Sequence, residues 1–292
     1  MKITSPYTYP QKWLKGNLHT HTTISDGAGS PQEIVSAYRD DNYDFLAITD
    51  HGKLSRYGGL DAGRMLLVPG EECHMAASSG AFDYHFVGIG LKKEIPDQAS
   101  PQTVIDLIAK NGGLPFVAHP RWSFMPYELF EGLYGFAGFE VYNGVCDKGF
   151  GRGCSNDFWD AYMTRFKRPI FAIAVDDNHG PHRDFARGWT WVNAARRPKA
   201  ILDALRRGDA YASTGPRIET IRVTGGSITV YTSSAKAVKF ISTEGRVPFL
   251  VEGEHVKSAA FAPKGDEVYV RVEVHGHDGT VAWSNPFFIE PD

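Results

Sequence analysis

Residues 44–51 read "DFLAITDH", an apolar run that ends on an aspartate and a histidine. A continuous run of this length suits a strand buried on both faces, as in a parallel sheet. The form recurs along the first two-thirds of the chain. Strands are predicted at 44–49, 64–68, 84–91, 114–118, 138–142, 169–175 and 189–193. Helix-like segments separate them. Ser30-Pro31-Gln32-Glu33 reads as a capping box with proline at the first helical position, and Ile34, Val35 and Tyr38 follow at helical spacing. Ser100-Pro101 opens a second helix, 155–166 gives a third, and 198–208 a fourth that stops at Gly208. This alternation of strand and helix argues for an α/β barrel or a doubly wound sheet.

After about residue 216 the helical spacing disappears. Short strand-like runs follow, separated by Gly, Ser and Asp turns, as in a small β-sandwich or sheet. The expected division is therefore 1–215 for the barrel and 216–292 for an all-β domain. The whole chain has 292 residues, 42% apolar and 22% charged, which is ample for a sizeable core. Its net charge of −3 gives no electrostatic reason to expect duplex nucleic acid as a partner. No run approaches the roughly 18 apolar residues of a membrane span, and the start lacks a secretory leader. Cys73, Cys146 and Cys154 form no CxxC pair, and an odd count suggests reduced thiols in the cytoplasm.

Residues with metal-ligand chemistry gather at the predicted strand ends. "NLHTH" brings His19 and His21, which face the same way if the segment is extended. Asp50 and His51 follow one strand, Glu71 and Glu72 another, His119 a third, and Asp176, Asp177 and His179 a fourth, while His85 lies inside "DYHFVG". The carboxyl ends of the strands of an α/β barrel converge on one face, which carries the active site. So many buried carboxylates and imidazoles would be costly without a compensating cation. In "AIAVDDNH" an extended backbone would turn Asp177 and His179 one way and Asp176 the other.

"NLHTHTTISDG", "AITDH", "PGEE", "HFVGIG", "AHP" and "DDNH", in this order, resemble the polymerase and histidinol phosphatase (PHP) superfamily over about residues 16–215. "AYASTGPRI" and "AWSNPFFIE" in the tail resemble its carbaryl-hydrolase-like subgroup, whose members carry a C-terminal β domain. The resemblance implies a distorted seven-stranded (β/α) barrel with two to three divalent ions. It assigns His19, His21, Glu72 and Asp177 to the first ion. Glu72, His85 and His119 fall to the second, with Glu72 bridging, and Asp26, His51 and His179 to the third. The doubled acids depart from the usual motifs, and the alignment favours Glu72 over Glu71 and Asp177 over Asp176.

Imidazole and carboxylate ligands suit Zn, Mn or Fe alike. Two such ions roughly 3.5–4 Å apart can bridge a hydroxide that attacks phosphorus in line. The expected catalytic group is His19, His21, Glu72, Asp177 and His179. The expected function is hydrolysis of a small phosphorylated metabolite or nucleotide by a metal-dependent phosphoesterase. Arg121, Lys53 and Arg183 stand beside the ligand motifs and are candidates to hold the substrate's phosphate, since arginine can grip it bidentately. Two alternatives stay open. One is hydrolysis of carboxylic or carbamate esters. The other is a non-catalytic, metal-stabilised binding protein.

Overall fold

The structure is a computed structural model that describes residues 1–55, 58–76, 83–96, 100–125, 127–180 and 184–290. The elements run β1 (Lys2–Thr4), β2 (Trp13–Asn17), α1 (Pro31–Asp40), β3 (Phe45–Ile48), β4 (Leu66–Ala76), β5 (Asp83–Ile89), α2 (Pro101–Lys110), β6 (Leu114–Val117), β7 (Gly138–Asn143), α3 (Gly144–Phe150), α4 (Asn156–Phe166) and β8 (Phe171–Val175). They continue with β9 (Trp189–Asn193), α5 (Pro198–Arg207), β10 (Ala210–Ser213), β11 (Ile218–Thr224), β12 (Ser227–Ser242), β13 (Phe249–Phe261), β14 (Tyr269–His275), β15 (Val281–Ser284) and β16 (Phe287–Glu290).

The helices start and stop where local chemistry dictates. The Ser30 hydroxyl accepts from the Glu33 N–H at 3.3 Å and the Glu33 carboxylate accepts from the Ser30 N–H at 2.8 Å, which closes the capping box of α1. Gly208 ends α5 at φ 75°, where a Cβ would stand 2.3 Å from the Phe171 ring. Only glycine fits that turn.

The architecture is mixed α/β and rich in sheet. One hydrogen-bonded path runs β1-β16-β14-β15-β10-β9-β2-β3-β4-β5-β6-β7-β8, with β11, β12 and β13 joined to it through β14. The expected seven-stranded (β/α) barrel implies parallel neighbours throughout, and the sheet departs from that in two ways. Pairing is parallel at β2–β3, β3–β4, β6–β7 and β7–β8, but antiparallel at β9–β2, β4–β5 and β5–β6. No backbone ladder joins β8 to β9 either. Instead the Thr190 hydroxyl donates to the Ala174 carbonyl at 2.9 Å and accepts from its N–H at 3.1 Å. One apolar cluster, including Phe45, Val68, Phe116 and Val175, draws on β2 to β6, β8, β9 and α5, so these elements surround a common core.

Glu71 and Glu72 lie inside β4 rather than after a strand, because β5 folds back along β4 with Glu72 opposite Val87 and His74 opposite His85. The polar ligands interrupt the apolar pattern but not the strand. Alternation still holds: Cys73 and Met75 share an apolar cluster on the side of Glu71, and Glu72 faces the other way.

Downstream of residue 215 the strands pack a second apolar core, with Ile221, Val238, Phe240 and Val272 buried in it. The sheet itself is uninterrupted, since β10 pairs with both β9 and β15. Arg271 of β14 is fully buried and grips Asp160 of α4, Nε to Oδ1 at 2.8 Å and Nη2 to Oδ2 at 2.6 Å. Its Nη1 donates to Glu273 at 2.7 Å. The three cysteines are free. Among the described residues no helix is long and apolar enough to cross a membrane.

Candidate metal centre

His19 and His21 follow β2, and their Nε2 atoms stand 3.1 Å apart. Each ring is held from behind. His19 Nδ1 lies 2.6 Å from Glu140 Oε1, and His21 Nδ1 lies 3.4 Å from the Ser25 hydroxyl. Two neutral imidazoles anchored through Nδ1–H would oppose lone pair to lone pair, unless a proton or a cation sits between them. Carboxylates close the group. Glu72 Oε2 is 2.9 Å from His19 Nε2 and 3.1 Å from His21 Nε2, and Asp177 Oδ1 is 3.3 and 3.1 Å from the same two atoms.

Glu72 faces two ways. Its Oε1 lies 2.7 Å from His85 Nδ1 and 3.3 Å from His119 Nε2. His119, just after β6, is positioned by a contact of its Nδ1 with Ser123 Oγ at 3.1 Å. A third group sits toward solvent. Asp26 Oδ2 is 3.7 Å from His51 Nε2 and 3.4 Å from His179 Nε2, and Asp26 Oδ1 is 3.5 Å from His21 Nδ1. His179 Nδ1 bonds the Asp177 carbonyl oxygen at 2.8 Å, which leaves its Nε2 for the cavity. The three groups are thus His19, His21, Glu72 and Asp177; Glu72, His85 and His119; and His21, Asp26, His51 and His179. All nine residues named from the motifs come together.

Charge compensation is the dominant physics here. Burial disfavours a charged His19, but Asp177, Glu72 and Glu140 overcome it and hold the imidazole well above its ordinary value. The same contest lifts His21 to about 9, through Asp177 and Glu72. His119 is also raised against burial, by Glu72 and Glu140. Burial opposes ionisation of Glu72 and Asp177 as well, yet the histidines hold both carboxyls far below the usual range. The buried carboxylates and imidazoles thus favour positive charge between them. One atom shows the deficit directly: Asp177 Oδ1 is buried and has no hydrogen-bond donor. A buried carboxylate oxygen without a donor is what a metal ligand looks like with its ion removed. The donor set and this orphaned oxygen fit divalent ions.

The doubled acids separate cleanly. Glu71 turns away, accepts from the Ile95 N–H at 3.0 Å, and is pushed up to about 7 by burial. Asp176 also turns away. Its oxygens accept from the N–H groups of Ala186, Arg187 and Gly188 and from the Tyr38 hydroxyl. The divergence of Asp176 and Asp177 does not come from an extended strand. Asp177 sits at φ 54°, so the chain turns at that residue.

The three candidate phosphate cations are placed differently. Arg121 is exposed and donates to the Cys154 carbonyl at 3.2 Å, and Lys53 is exposed and pairs with Glu94 at 3.5 Å. Neither lines the cavity over the centre. Arg183 lies outside the described residues. Two residues escaped the sequence reading. Glu140, buried on β7, holds His19 through one oxygen and accepts the His119 N–H at 2.9 Å through the other. Asn143 donates to Glu140 at 2.9 Å and to Asp177 Oδ2 at 3.1 Å. The signal was present in "GFEVY", where a lone glutamate interrupts an apolar strand.

No family model matches the chain. An uncharacterized protein of Methanocaldococcus jannaschii is 26% identical over 118 residues, covering 37% of this chain and 68% of that protein. The DNA polymerase/3'-5' exonuclease PolX of Bacillus subtilis is 45% identical over 53 residues, which are 18% of this chain and only 9% of that enzyme. Among solved structures, a two-domain protein from Bacteroides vulgatus described as containing a predicted PHP-like metal-dependent phosphoesterase superposes with TM-score 0.55 at 18% identity. The match covers 100% of this chain and 91% of that one.

Proposed function

From the PHP-like fold shared with the Bacteroides protein, we propose that the chain is a metal-dependent phosphoric ester hydrolase acting on a small phosphorylated metabolite or nucleotide. The observation that carries this reading is the set of three ligand groups joined through Glu72 and His21 around one cavity, with Asp177 Oδ1 buried and unpartnered. His19, His21, Glu72 and Asp177 hold a first ion. Glu72, His85 and His119 hold a second, and Asp26, His51 and His179 a third. Zn, Mn and Fe all suit these donors. Bound divalent ions supply Lewis-acid chemistry: they neutralise phosphate charge and lower the pKa of water.

The chain's own residues prepare the site. Glu140, Ser25, Ser123 and the Asp177 carbonyl hold imidazole rings through Nδ1, which fixes tautomer and aim. Asn143 orients Asp177. Asp50, buried, accepts from the Thr22 N–H and from the hydroxyls of Thr22, Ser25 and Ser55, and so fixes the loop that carries Asp26. We read the strands around the common core as the distorted barrel, and the part after residue 215 as a second domain built onto it.

Elemental analysis of the purified protein, followed by assays on phosphomonoesters, phosphodiesters and carboxylic esters with Mn, Zn and Fe, tests the proposal. At least two ions per chain and turnover of a phosphoester are expected. A metal content near zero after supplementation overturns it. Carboxylic and carbamate esters belong in the panel because, among the described residues, no lysine or arginine lines the cavity. Oligonucleotides belong there too, since net charge is the sole ground for setting nucleic acid aside.

A further inference from the structure

The cavity over the centre has a volume of about 310 Å³ and two unlike sides. Ligand residues make one part of its lining. Trp122, Val145, Cys146 and Phe150 make the rest. Trp122 sits edge-to-face on His119, with ring centres 4.9 Å apart, and Phe150 stands 6.0 Å beyond Trp122 at an interplanar angle of 61°. The aromatic surface therefore begins at the metal ligands and leads outward to the mouth.

Two features mark this surface as more than core packing. Phe150 is 61% exposed and Phe124, on the loop that carries Trp122, is 64% exposed, the two most exposed phenylalanines among the described residues. Large rings left in water forgo the gain of burial, so the place of Phe150 on the cavity lining calls for a ligand that covers it. The loop itself is held in a costly form. His119 and Phe124 have φ of 27° and 53°, where side chains other than glycine are disfavoured. Arg152, two residues after Phe150, lies over the Phe124 ring at 4.1 Å and steadies it.

We propose that Trp122 and Phe150 form a slot for a planar aromatic ring carried on the alcohol side of the phosphoester, so that the preferred substrates are phosphate esters of ring-bearing alcohols. The proposal rests on the phosphoester reading above. A ring entering the slot lies face-on to one of the two side chains and edge-on to the other, the arrangements that aromatic pairs favour. In the reaction, water's oxygen forms the new bond to phosphorus and the P–O bond to the ring-bearing alcohol breaks. That alcohol leaves with one of water's protons. Aryl groups and nucleobases share the required chemistry, and substrate pairs tell them apart.

The test uses the full chain supplied with Mn. Benzyl phosphate is compared with ethyl phosphate, and adenosine 5'-phosphate with ribose 5-phosphate, in the natural protein and in Phe150→Ala and Phe150→Tyr. Calorimetry with benzylphosphonate and methylphosphonate, whose P–C bonds do not hydrolyse, reads binding apart from turnover. The ring-bearing member of at least one pair should be favoured by about tenfold in kcat/KM, chiefly through KM. Phe150→Ala should abolish the preference and Phe150→Tyr should keep it. Benzylphosphonate affinity should follow the same order. Equal kcat/KM within both pairs, or a preference that survives Phe150→Ala, overturns the slot. If no phosphoester turns over but benzylphosphonate binds in a Phe150-dependent way, the phosphoester reading fails and the slot stands. Neither turnover nor binding overturns both.

Discussion

Asp176 follows β8 with its carboxylate turned toward backbone. Three N–H groups from 186–188 and the Tyr38 hydroxyl converge on it, while burial still raises it to about 6. Its neighbour Asp177 turns into the cavity through a left-handed backbone and leaves one oxygen without a donor. Asparagine at the two positions should therefore fail differently. Asp177→Asn removes charge that balances a cation, so metal occupancy should drop and turnover should fall by orders of magnitude. Asp176→Asn sets an NH2 group against at least one buried donor, which should cost about 1–3 kcal/mol of stability but leave the metal count intact. Metal stoichiometry and thermal melts of both variants decide this. If Asp176→Asn is the one that loses metal, the assignment is off by one residue. Glu140 acts one contact further back. Glu140→Gln should weaken metal binding by about 10–100-fold, measured by competition with a chelator, because the His19 ring loses its charged anchor. Unchanged affinity would make Glu140 a packing residue only.

The elements with local signals are readable in the sequence alone. α1 has its capping box, α5 its glycine stop, and the apolar runs at 45–48, 114–117 and 171–175 are strands. The elements that escaped had their signals masked by function or by length. β4 carries its ligands in mid-strand, so its apolar run breaks off at Pro69 although the ladder continues to Ala76. The direction of β5 was not legible, since a strand covered on both faces looks alike in parallel and antiparallel pairing. α3 is seven residues long, too short for a helical period to show. The capping box is the element-scale device most open to test. Ser30→Ala should destabilise the fold by about 1 kcal/mol without changing metal content. A change in metal content would show that α1 positions the 17–27 loop.

Across the whole molecule, the C-terminal strands are fastened to α4 by charge as well as by sheet. Arg271 is buried between Asp160 and Glu273, its guanidinium stacks over Trp159 at 4.9 Å, and the Tyr269 hydroxyl donates to Asp160 at 2.8 Å. Burial opposes the Glu273 charge, but His275 and Arg271 lower the carboxyl to about 2. A carboxylate lowered in the fold adds stability that is complete above its unfolded value near 4.5 and is lost as pH falls toward about 2. Arg271→Ala strands two acids and should cost about 3–5 kcal/mol. It should also flatten the loss of stability between pH 4.5 and 2. Denaturant melts across that range check both effects, and a cost under about 1 kcal/mol would mean that the network is dispensable. A chain cut at residue 215 would leave Asp160 without its arginine and open the edge of β10.

Between β8 and β9 side chains stand where a ladder would. The neighbours from β9 through β2 to β8 pair by ladders, but here the Thr190 hydroxyl answers both backbone groups of Ala174, and past the end of β8 the Asp176 carboxylate accepts from the N–H groups of 186–188. A seam held by side chains should open before a ladder does. Val175 and the turn bearing Asp177 and His179 come directly after it, so loosening this seam should reach the ligand residues. Thr190→Val keeps the side chain's outline and cuts the stitch. Deuterium uptake measured by mass spectrometry should then rise across 171–175 and 189–193 before it rises in α1 or α5. Bound metal should pass to a chelator faster by about tenfold, since one lost buried hydrogen bond is worth about 1 kcal/mol or somewhat more. Uptake unchanged along both strands would mean that packing alone holds β8 against β9.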